Sequence, residues 1–203
     1  MISLQEYLLS KREIYKGFDD CHDERHFDEV YIFTQKMCEH LEYSEADTNI
    51  MLTAAAFHDI GRIVDDEDHE KYSVDALKRD KFIKKFFSKD IIDRIGEIIL
   101  AHRSSQVAKT EEEKILKDAD KAARLNHDRQ LYRLIAYNVT QYPESDNRDI
   151  YNRIESKVKT SSKFTVNWNC EKCEEVFGEL KPFELPDFSV VSKEIDNYRK
   201  HLF

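Results

Sequence analysis

Helix-breaking residues are scarce in this sequence of 203 residues, which contains only four glycines and three prolines. Because both residue types interrupt regular structure, their scarcity favours long helices. The sequence also lacks an apolar run of about 18 residues, which a membrane-spanning helix requires, and its start lacks the pattern of a signal peptide. We therefore expect a cytoplasmic protein without a membrane partner.

Cysteine is also rare, with four residues at Cys21, Cys38, Cys170 and Cys173. A disulfide framework is not expected in a chain of this size without a secretion signal. The sequence CEKC at 170–173 has the spacing of half a zinc site, but no second pair and no nearby histidine completes it. The cysteines therefore do not predict a structural zinc ion.

Charged residues make up 36% of the chain, and the net charge is −9. This acidic balance does not favour duplex nucleic acid as a partner, and we expect no basic stripe. Hydrophobic residues at 40% and aromatic residues at 11% suffice for a sizeable core. The length is consistent with one domain, or with one domain and a substantial extension.

Helical signals dominate the chain. Ser3 with Glu6, and Thr110 with Glu113, form the capping-box pattern that opens a helix. Apolar residues at about 22–42 recur with the spacing of an amphipathic helix, whereas IMLTAAAF is apolar on every side and predicts a central, fully surrounded helix at about 45–60. Further helices are predicted at about 89–104, 111–126, 128–141, 147–160 and 188–201.

The segment 161–187 contains Pro182 and Pro186 and is predicted to be irregular, with room for a short strand at FTVNW (164–168). Helices are therefore expected before and after it. The sequence predicts an all-α protein, in which a helical bundle is followed by a mainly helical C-terminal extension.

Four predicted helices place a titratable side chain where an apolar stripe would continue. His22 and His26 project from one face of the second helix, and His58 extends the apolar line of the central helix. His102 ends the stripe of the next helix, and Asp120 shares a face with leucine and alanine in the one after it. Burial of such groups is costly unless each has a partner.

A single divalent cation would satisfy the titratable side chains of these four helices together, because imidazole nitrogens and carboxylate oxygens are natural ligands of such ions. The alternative is a buried polar network that holds no metal. Periodicity alone favours the cation, since four helices carry such a residue at once.

The sequence contains His26, then the adjacent pair His58 and Asp59, then the distant Asp120. This order resembles the HD superfamily of metal-dependent phosphohydrolases. That family has a first histidine, then an adjacent histidine and aspartate, then a distant aspartate. The resemblance covers about residues 20–126 and implies an HD-domain core at 1–127, with an extension at 128–203 packed on it. Three motifs carry the resemblance: HDERHFDEV at 22–30, AAAFHDIGR at 54–62 and LKDADKAARL at 116–125.

The resemblance implies that His26, His58, Asp59 and Asp120 bind the metal ion. Asp118 competes with Asp120, but the family favours the aspartate that precedes a basic residue, here Lys121. His22 is expected beside the ligands or facing the substrate, with a surface position as the alternative.

The implied cofactor is one divalent ion, and Mn²⁺, Mg²⁺, Fe²⁺, Co²⁺ or Zn²⁺ would each suit these ligands. Such an ion lowers the pKa of a bound water and neutralises charge on a phosphoryl oxygen. Asp59 is expected to orient this water. Arg62 and His102 are expected to contact the substrate phosphate, with a salt bridge or a cap as the alternative role.

His69 leaves the number of metal ions open. Some HD proteins hold two ions by means of two further histidines, and His69 and His102 are the candidates here. Only ten residues separate His69 from Asp59, and it lies in the acidic sequence DDEDHEK, predicted to be a loop. This short spacing favours one ion, while a pair of ions would reopen the di-iron oxygenase branch of the superfamily.

The expected function is hydrolysis of a phosphate ester or anhydride in a small phosphorylated metabolite. A nucleotide is the favoured substrate class, which rests on the habits of the family. Two alternatives remain: a non-catalytic, nucleotide-binding regulatory protein, and a di-iron HD oxygenase. The sequence leaves the oligomeric state open.

Overall fold

The computed structural model describes residues 2–18, 22–103, 105–124, 127–160, 168–177 and 183–202. These residues form helices and no strand, which confirms the predicted all-α fold. A 3₁₀ turn at Ile60–Ile63 separates the fourth and fifth helices. The helices are α1 (Leu4–Ser10), α2 (Arg12–Tyr15), α3 (Glu24–His40), α4 (Glu45–Phe57), α5 (His69–Arg79), α6 (Ile83–Phe86), α7 (Lys89–Ala101), α8 (Glu111–Arg124), α9 (His127–Gln141), α10 (Asn147–Thr160), α11 (Glu171–Phe177) and α12 (Phe188–Leu202).

The chain divides into two compact units. The first contains Met1–Ala123 together with Trp168–Gly178, and the second contains Arg124–Asn167 together with Glu179–Phe203. The division into a core at 1–127 and an extension packed on it at 128–203 stays a prediction.

Two helices of the first unit begin as the sequence predicts. The hydroxyl oxygen of Ser3 accepts a hydrogen bond from the backbone N–H of Glu6, whose carboxylate accepts one from the backbone N–H of Ser3. Thr110 and Glu113 make the same reciprocal pair before α8. Each pair satisfies backbone donors that have no acceptor within the helix.

Helix α4 lies at the centre of the first unit, and every side chain from Ile50 to Phe57 is buried. Helices α1, α3 and α7 pack around it. A helix that is apolar on every side has no face for water, so the central position follows from its sequence.

Helices α5 and α7 run antiparallel beside each other. The imidazole rings of His69 and His102, at the start of α5 and just after α7, have centroids 5.3 Å apart. At the opposite end, Lys78 Nζ lies 2.8 Å from Asp93 Oδ1. The middle of the pair is close because Gly96 faces Val74, and a Cβ at Gly96 would lie 3.2 Å from Val74 Cγ1.

The second unit has a core of its own, contributed mainly by α9, α10 and α12. Four of its isoleucine and valine side chains, in α10 and α12, are completely buried. Burial of each such side chain stabilises the unit by about 1.5–3 kcal/mol. The buried core consists of Leu134, Ile135, Val139, Ile150, Ile154, Phe183, Val191 and Ile195.

Within 161–187, the structure corrects the prediction of an irregular segment, because α11 lies there. The carboxylate of Asp118 accepts hydrogen bonds from the backbone N–H of Asn169 at 2.8 Å and of Cys170 at 2.8 Å. The side-chain amide of Asn169 also donates to it. Asp118 thereby anchors the start of α11 to α8. The suggested strand at 164–167 lies outside the described residues.

In the described ranges, no helix is both long and apolar enough to cross a bilayer. The cytoplasmic location and the lack of duplex nucleic acid as a partner stay predictions.

We expect Asp118→Ala to lower the free energy of unfolding by about 3 kcal/mol, because it removes a buried acceptor from two backbone N–H groups. Chemical denaturation measures this loss, and hydrogen exchange should rise across 168–177. His40→Ala is the control, since it removes only the exposed contact of His40 with Glu175 in α11. Its effect should stay below about 1 kcal/mol. Equal effects of the two variants would contradict the anchoring role of Asp118.

Candidate metal centre

Six buried side chains with metal-binding atoms lie close together in the first unit. They form two groups, each of three residues whose ligand atoms lie within 4.8 Å of one another. The sequence predicts a role in the site for all six, but metal binding is favoured for only four of them. The first group is His26, His58 and Asp120, and the second is Asp59, His69 and His102.

The first group comes from three helical elements. His26 belongs to α3, His58 follows α4, and Asp120 belongs to α8. The Nε2 atoms of His26 and His58 are 3.3 Å apart, and His26 Nε2 lies 3.2 Å from Asp120 Oδ1. All three residues are at most 2% exposed, so water does not surround these polar atoms.

The second group lies at the adjoining ends of α5 and α7. His69 is the first residue of α5, which corrects its predicted position in a loop. His69 Nε2 lies 3.2 Å from His102 Nε2 and 3.2 Å from Asp59 Oδ1. His102 Nε2 is 3.7 Å from the same carboxylate oxygen.

Asp59, a member of the second group, also faces the first group and presents one carboxylate oxygen to each. Its Oδ2 is 3.3 Å from His58 Nε2 and 3.5 Å from His26 Nε2, whereas its Oδ1 faces His69 and His102. Oδ1 is buried, and none of the residues that the structure describes donates a hydrogen bond of normal geometry to it. One carboxylate therefore has a suitable oxygen for a cation in either group.

Three of the four histidines have a defined tautomer. The Nδ1–H groups of His58, His69 and His102 donate to backbone carbonyls at 2.8, 2.9 and 2.5 Å, respectively. A neutral imidazole that donates through Nδ1 carries its lone pair on Nε2. The lone pairs of His69 and His102 thus face each other across 3.2 Å, an arrangement that a cation between them would stabilise.

The electrostatics keep His69, His102 and Asp59 in the protonation states that bind metal. Burial lowers the pKa of His69 to about 4, despite the opposing attraction of Asp59. Burial also lowers the pKa of His102. Burial alone would raise the pKa of Asp59, but the neighbouring imidazoles, His58 first among them, outweigh it and hold this pKa well below its usual range. Neutral imidazoles and ionised carboxylates are the ligand forms.

The distances within both groups suit a small divalent cation. Two ligand atoms about 2.1 Å from one ion, at angles between octahedral and tetrahedral, lie about 3.0–3.4 Å apart. The Nε2–Nε2 separations of 3.3 and 3.2 Å fall within this interval. The buried donors therefore fit a metal ion, and the mixture of imidazole and carboxylate does not select a particular one.

Comparison with known families agrees with this geometry. The family model described as HD domain matches residues 24–125, about half of the chain. The chain belongs to the HD-domain superfamily of metal-dependent phosphohydrolases. Comparisons with curated proteins and with solved structures found no match.

The turn that carries the HD pair is braced by α5. The Ser73 hydroxyl donates to the carbonyl of His58 at 2.8 Å and accepts from the N–H of Gly61 at 2.8 Å. A Cβ on Gly61 would overlap the carbonyl oxygen of His69 and lie 2.6 Å from Ser73 N. Glycine at this position thus lets α5, with His69, approach the HD pair.

Tyr15 supports the same turn from the other side, although sequence periodicity did not single it out. Its hydroxyl accepts a hydrogen bond from the backbone N–H of Asp59 at 3.3 Å, and its side chain is completely buried. Its ring packs against Phe27 of α3, with centroids 5.0 Å apart. A four-residue helix offers no periodic pattern, so only the fold brings Tyr15 to the HD pair.

The alternatives at Asp118 and Asp120 separate clearly in space. Asp120 lies with the histidines, whereas Asp118 bonds the start of α11. His22 is half-buried, with its ring centroid 5.7 Å from that of His26.

Arg62 and His102, the two residues expected to contact the substrate phosphate, lie in different surroundings. Arg62 Nε lies 3.0 Å from Asp59 Oδ1, and its Nη1 bonds Asp66. His102 is 3% exposed and belongs to the second donor group. The neighbouring Arg103 bonds both carboxylate oxygens of Glu70, at 3.0 and 3.1 Å.

We expect Gly61→Ala to destabilise the protein by about 3 kcal/mol, because its methyl group would force α5 away from the HD turn. Bound metal should fall with it, since His69 would move. Thermal unfolding and elemental analysis measure the two effects. Gly96→Ala, on α7 against the same helix, should change stability by less than about 1 kcal/mol and retain the metal. A stable Gly61→Ala protein with full metal content would contradict the proposed contact.

Proposed function

We propose that this HD protein is a hydrolase that cleaves a phosphate ester or anhydride in a small phosphorylated metabolite, with a nucleotide as the favoured class. The observation that carries the proposal is the pair of buried donor groups around Asp59. The nucleotide preference rests on the habits of the HD superfamily. We further propose that residues 128–203 form an extension that packs on the HD core and shapes the substrate site.

We propose two metal positions in place of the single ion favoured by sequence spacing. His26, His58, Asp120 and Asp59 Oδ2 would hold one ion, and His69, His102 and Asp59 Oδ1 would hold the other. A divalent ion there, such as Mn²⁺, Mg²⁺, Fe²⁺, Co²⁺ or Zn²⁺, would supply a water of lowered pKa and neutralise charge on a phosphoryl oxygen.

The side chains around this centre would take distinct roles. The backbone carbonyls bonded to the Nδ1–H groups hold the imidazoles in place. Asp59 is proposed to orient the attacking water. Arg62 contacts Asp59 through Nε and is proposed to contact the substrate phosphate. His102 is proposed as a metal ligand, although sequence reasoning first assigned it to the phosphate.

The second donor group favours one further candidate function, a di-iron HD oxygenase. Together, the two donor groups give two adjoining metal positions that share the carboxylate of Asp59, and this arrangement would suit a pair of irons. A regulatory protein that binds nucleotides without turnover is the other alternative, but the presence of every implied ligand gives it less support.

Phosphate release from a panel of nucleotides and sugar phosphates, with Mn²⁺, Mg²⁺, Fe²⁺, Co²⁺ or Zn²⁺ added, tests the proposal. Release from at least one substrate that stops with a chelator supports hydrolysis. Nucleotide binding without release would favour the regulatory alternative. Two irons per chain by elemental analysis, together with oxygen uptake, would favour the oxygenase.

We expect the two metal positions to be lost separately. His26→Ala and Asp120→Asn should each remove about one ion per chain, and His69→Ala should remove the other. Asp59→Asn should lower the occupancy of both and abolish turnover, while helicity stays nearly intact because the apolar core is unchanged. Elemental analysis with circular dichroism measures these outcomes. Full metal content and turnover in Asp59→Asn would contradict the assignment.

A further inference from the structure

A basic segment stands out in this acidic chain. Residues 78–89 read KRDKFIKKFFSK, with six lysine or arginine residues and one aspartate, although the net charge of the protein is −9. The segment joins the end of α5 to the start of α7 and includes α6. The net charge of the whole chain conceals this local excess of positive charge.

The one acidic side chain in the segment is already occupied. Asp80 Oδ2 lies 2.9 Å from Lys11 Nζ and accepts a hydrogen bond from the Tyr7 hydroxyl. Its Oδ1 accepts from the backbone N–H groups of Phe82 and Ile83 at 2.9 and 3.1 Å. Asp80 therefore fixes the local backbone, and its carboxylate does not neutralise the positive charge of the neighbouring lysines.

The same segment borders a cavity of about 420 Å³ in the first unit. Phe87 and Ile92 provide apolar surface, and Lys84 and Lys89 are exposed at its edge. Lys84 and Lys89 form no ion pair within 4 Å across the described ranges, whereas Lys78 pairs with Asp93. The remaining lining residues are Lys78 and Asp93.

We propose that this cavity binds a small organic anion, with a phosphate or phosphonate group held by Lys84 and Lys89 and an apolar or aromatic body against Phe87 and Ile92. Ammonium groups bind phosphate as point charges. Small-molecule sites are concave, largely apolar and carry a few convergent polar groups, and they have volumes of about 300–1,000 Å³. The cavity has a volume in this range, and its lining includes apolar surface and lysine side chains.

The concave shape favours a small molecule over a membrane or a nucleic acid strand. A lipid surface or a polyanion would use the outward-facing Lys81 and Lys85 as much as the lysines at the cavity. For its anionic group, a small ligand would depend on Lys84 and Lys89, because Lys78 in the same lining is paired with Asp93. This difference separates the alternatives by experiment.

The cavity is distinct from the metal centre. It lies at the end of the α5–α7 pair opposite His69 and His102, and Lys89 is 13 residues before His102. At the rise of a helix this is a separation of about 20 Å. Binding there does not depend on hydrolysis, so the inference stands apart from the proposed function.

The probe for the test is 1-naphthylphosphonate, whose carbon–phosphorus bond resists hydrolysis and whose fluorescence reports an apolar environment. Titration of the full-length protein in its metal-bound form should give saturable binding. Inorganic phosphate should compete, but more weakly than the probe, because it lacks the apolar body. The Asp59→Asn protein, in which the metal centre is impaired, should retain one saturable site for the probe.

Two double variants with the same change in charge identify the site. Lys84→Glu with Lys89→Glu should raise the Kd at least about tenfold, whereas Lys81→Glu with Lys85→Glu should change it by less than about threefold. All four side chains are exposed, so both variants should fold, as circular dichroism will verify.

Four outcomes would overturn the inference. The first is no saturable binding at millimolar probe. The second is evidence of diffuse attraction. An equal loss in both double variants would indicate it, and so would preferential binding of phosphatidylserine vesicles or of an oligonucleotide. The third is unchanged binding in the Lys84→Glu, Lys89→Glu protein. The fourth is loss of probe binding in Asp59→Asn, which would place the probe at the metal centre.

Discussion

The two oxygen atoms of Asp59 must face two different groups of imidazoles, and this requirement shapes the chain on both sides of the HD pair. Successive residues of a regular helix point about 100° apart, so α4 has to end before the pair can turn inward. The helix ends at Phe57, and Asp59 has φ −111° and ψ 1°, outside helical values. Ser73 and Tyr15 then hold the non-helical backbone by hydrogen bonds to the turn.

Periodicity predicted the part of the centre that lies on long helices. His26 and Asp120 occupy apolar faces of α3 and α8, where a polar residue interrupts a regular pattern and is therefore visible in sequence. His69 gave no such signal, because it is the first residue of α5 and follows an acidic stretch. Its role depends on the antiparallel return of α5 along α7, which no local pattern specifies.

The aspartates of α8 show another limit of sequence reasoning. Asp118 and Asp120 are two residues apart and so point about 160° away from each other around the helix. Both faces are buried, so burial could not select the ligand. The return of 168–177 to α8 favours Asp120 as the proposed ligand, since backbone N–H groups of that segment bond to Asp118. This contact spans some 50 positions of sequence and has no pattern that would predict it. The helices themselves were predictable because their apolar stripes are local.

The bonds that orient His58 and His102 also finish the helices that precede them. Ala55 and Ile99 belong to the last turns of α4 and α7, where the carbonyl groups have no N–H donor within the helix. The imidazole of His58 supplies a donor to Ala55, and that of His102 adds a second donor to Ile99, whose carbonyl also accepts from the backbone N–H of His102 at 3.3 Å. Helix termination and the proposed metal coordination thus depend on the same side chain at both sites. Replacement of either histidine would unravel a helix end even in the metal-free protein. Asp120 lies in the middle of α8 and caps no helix end.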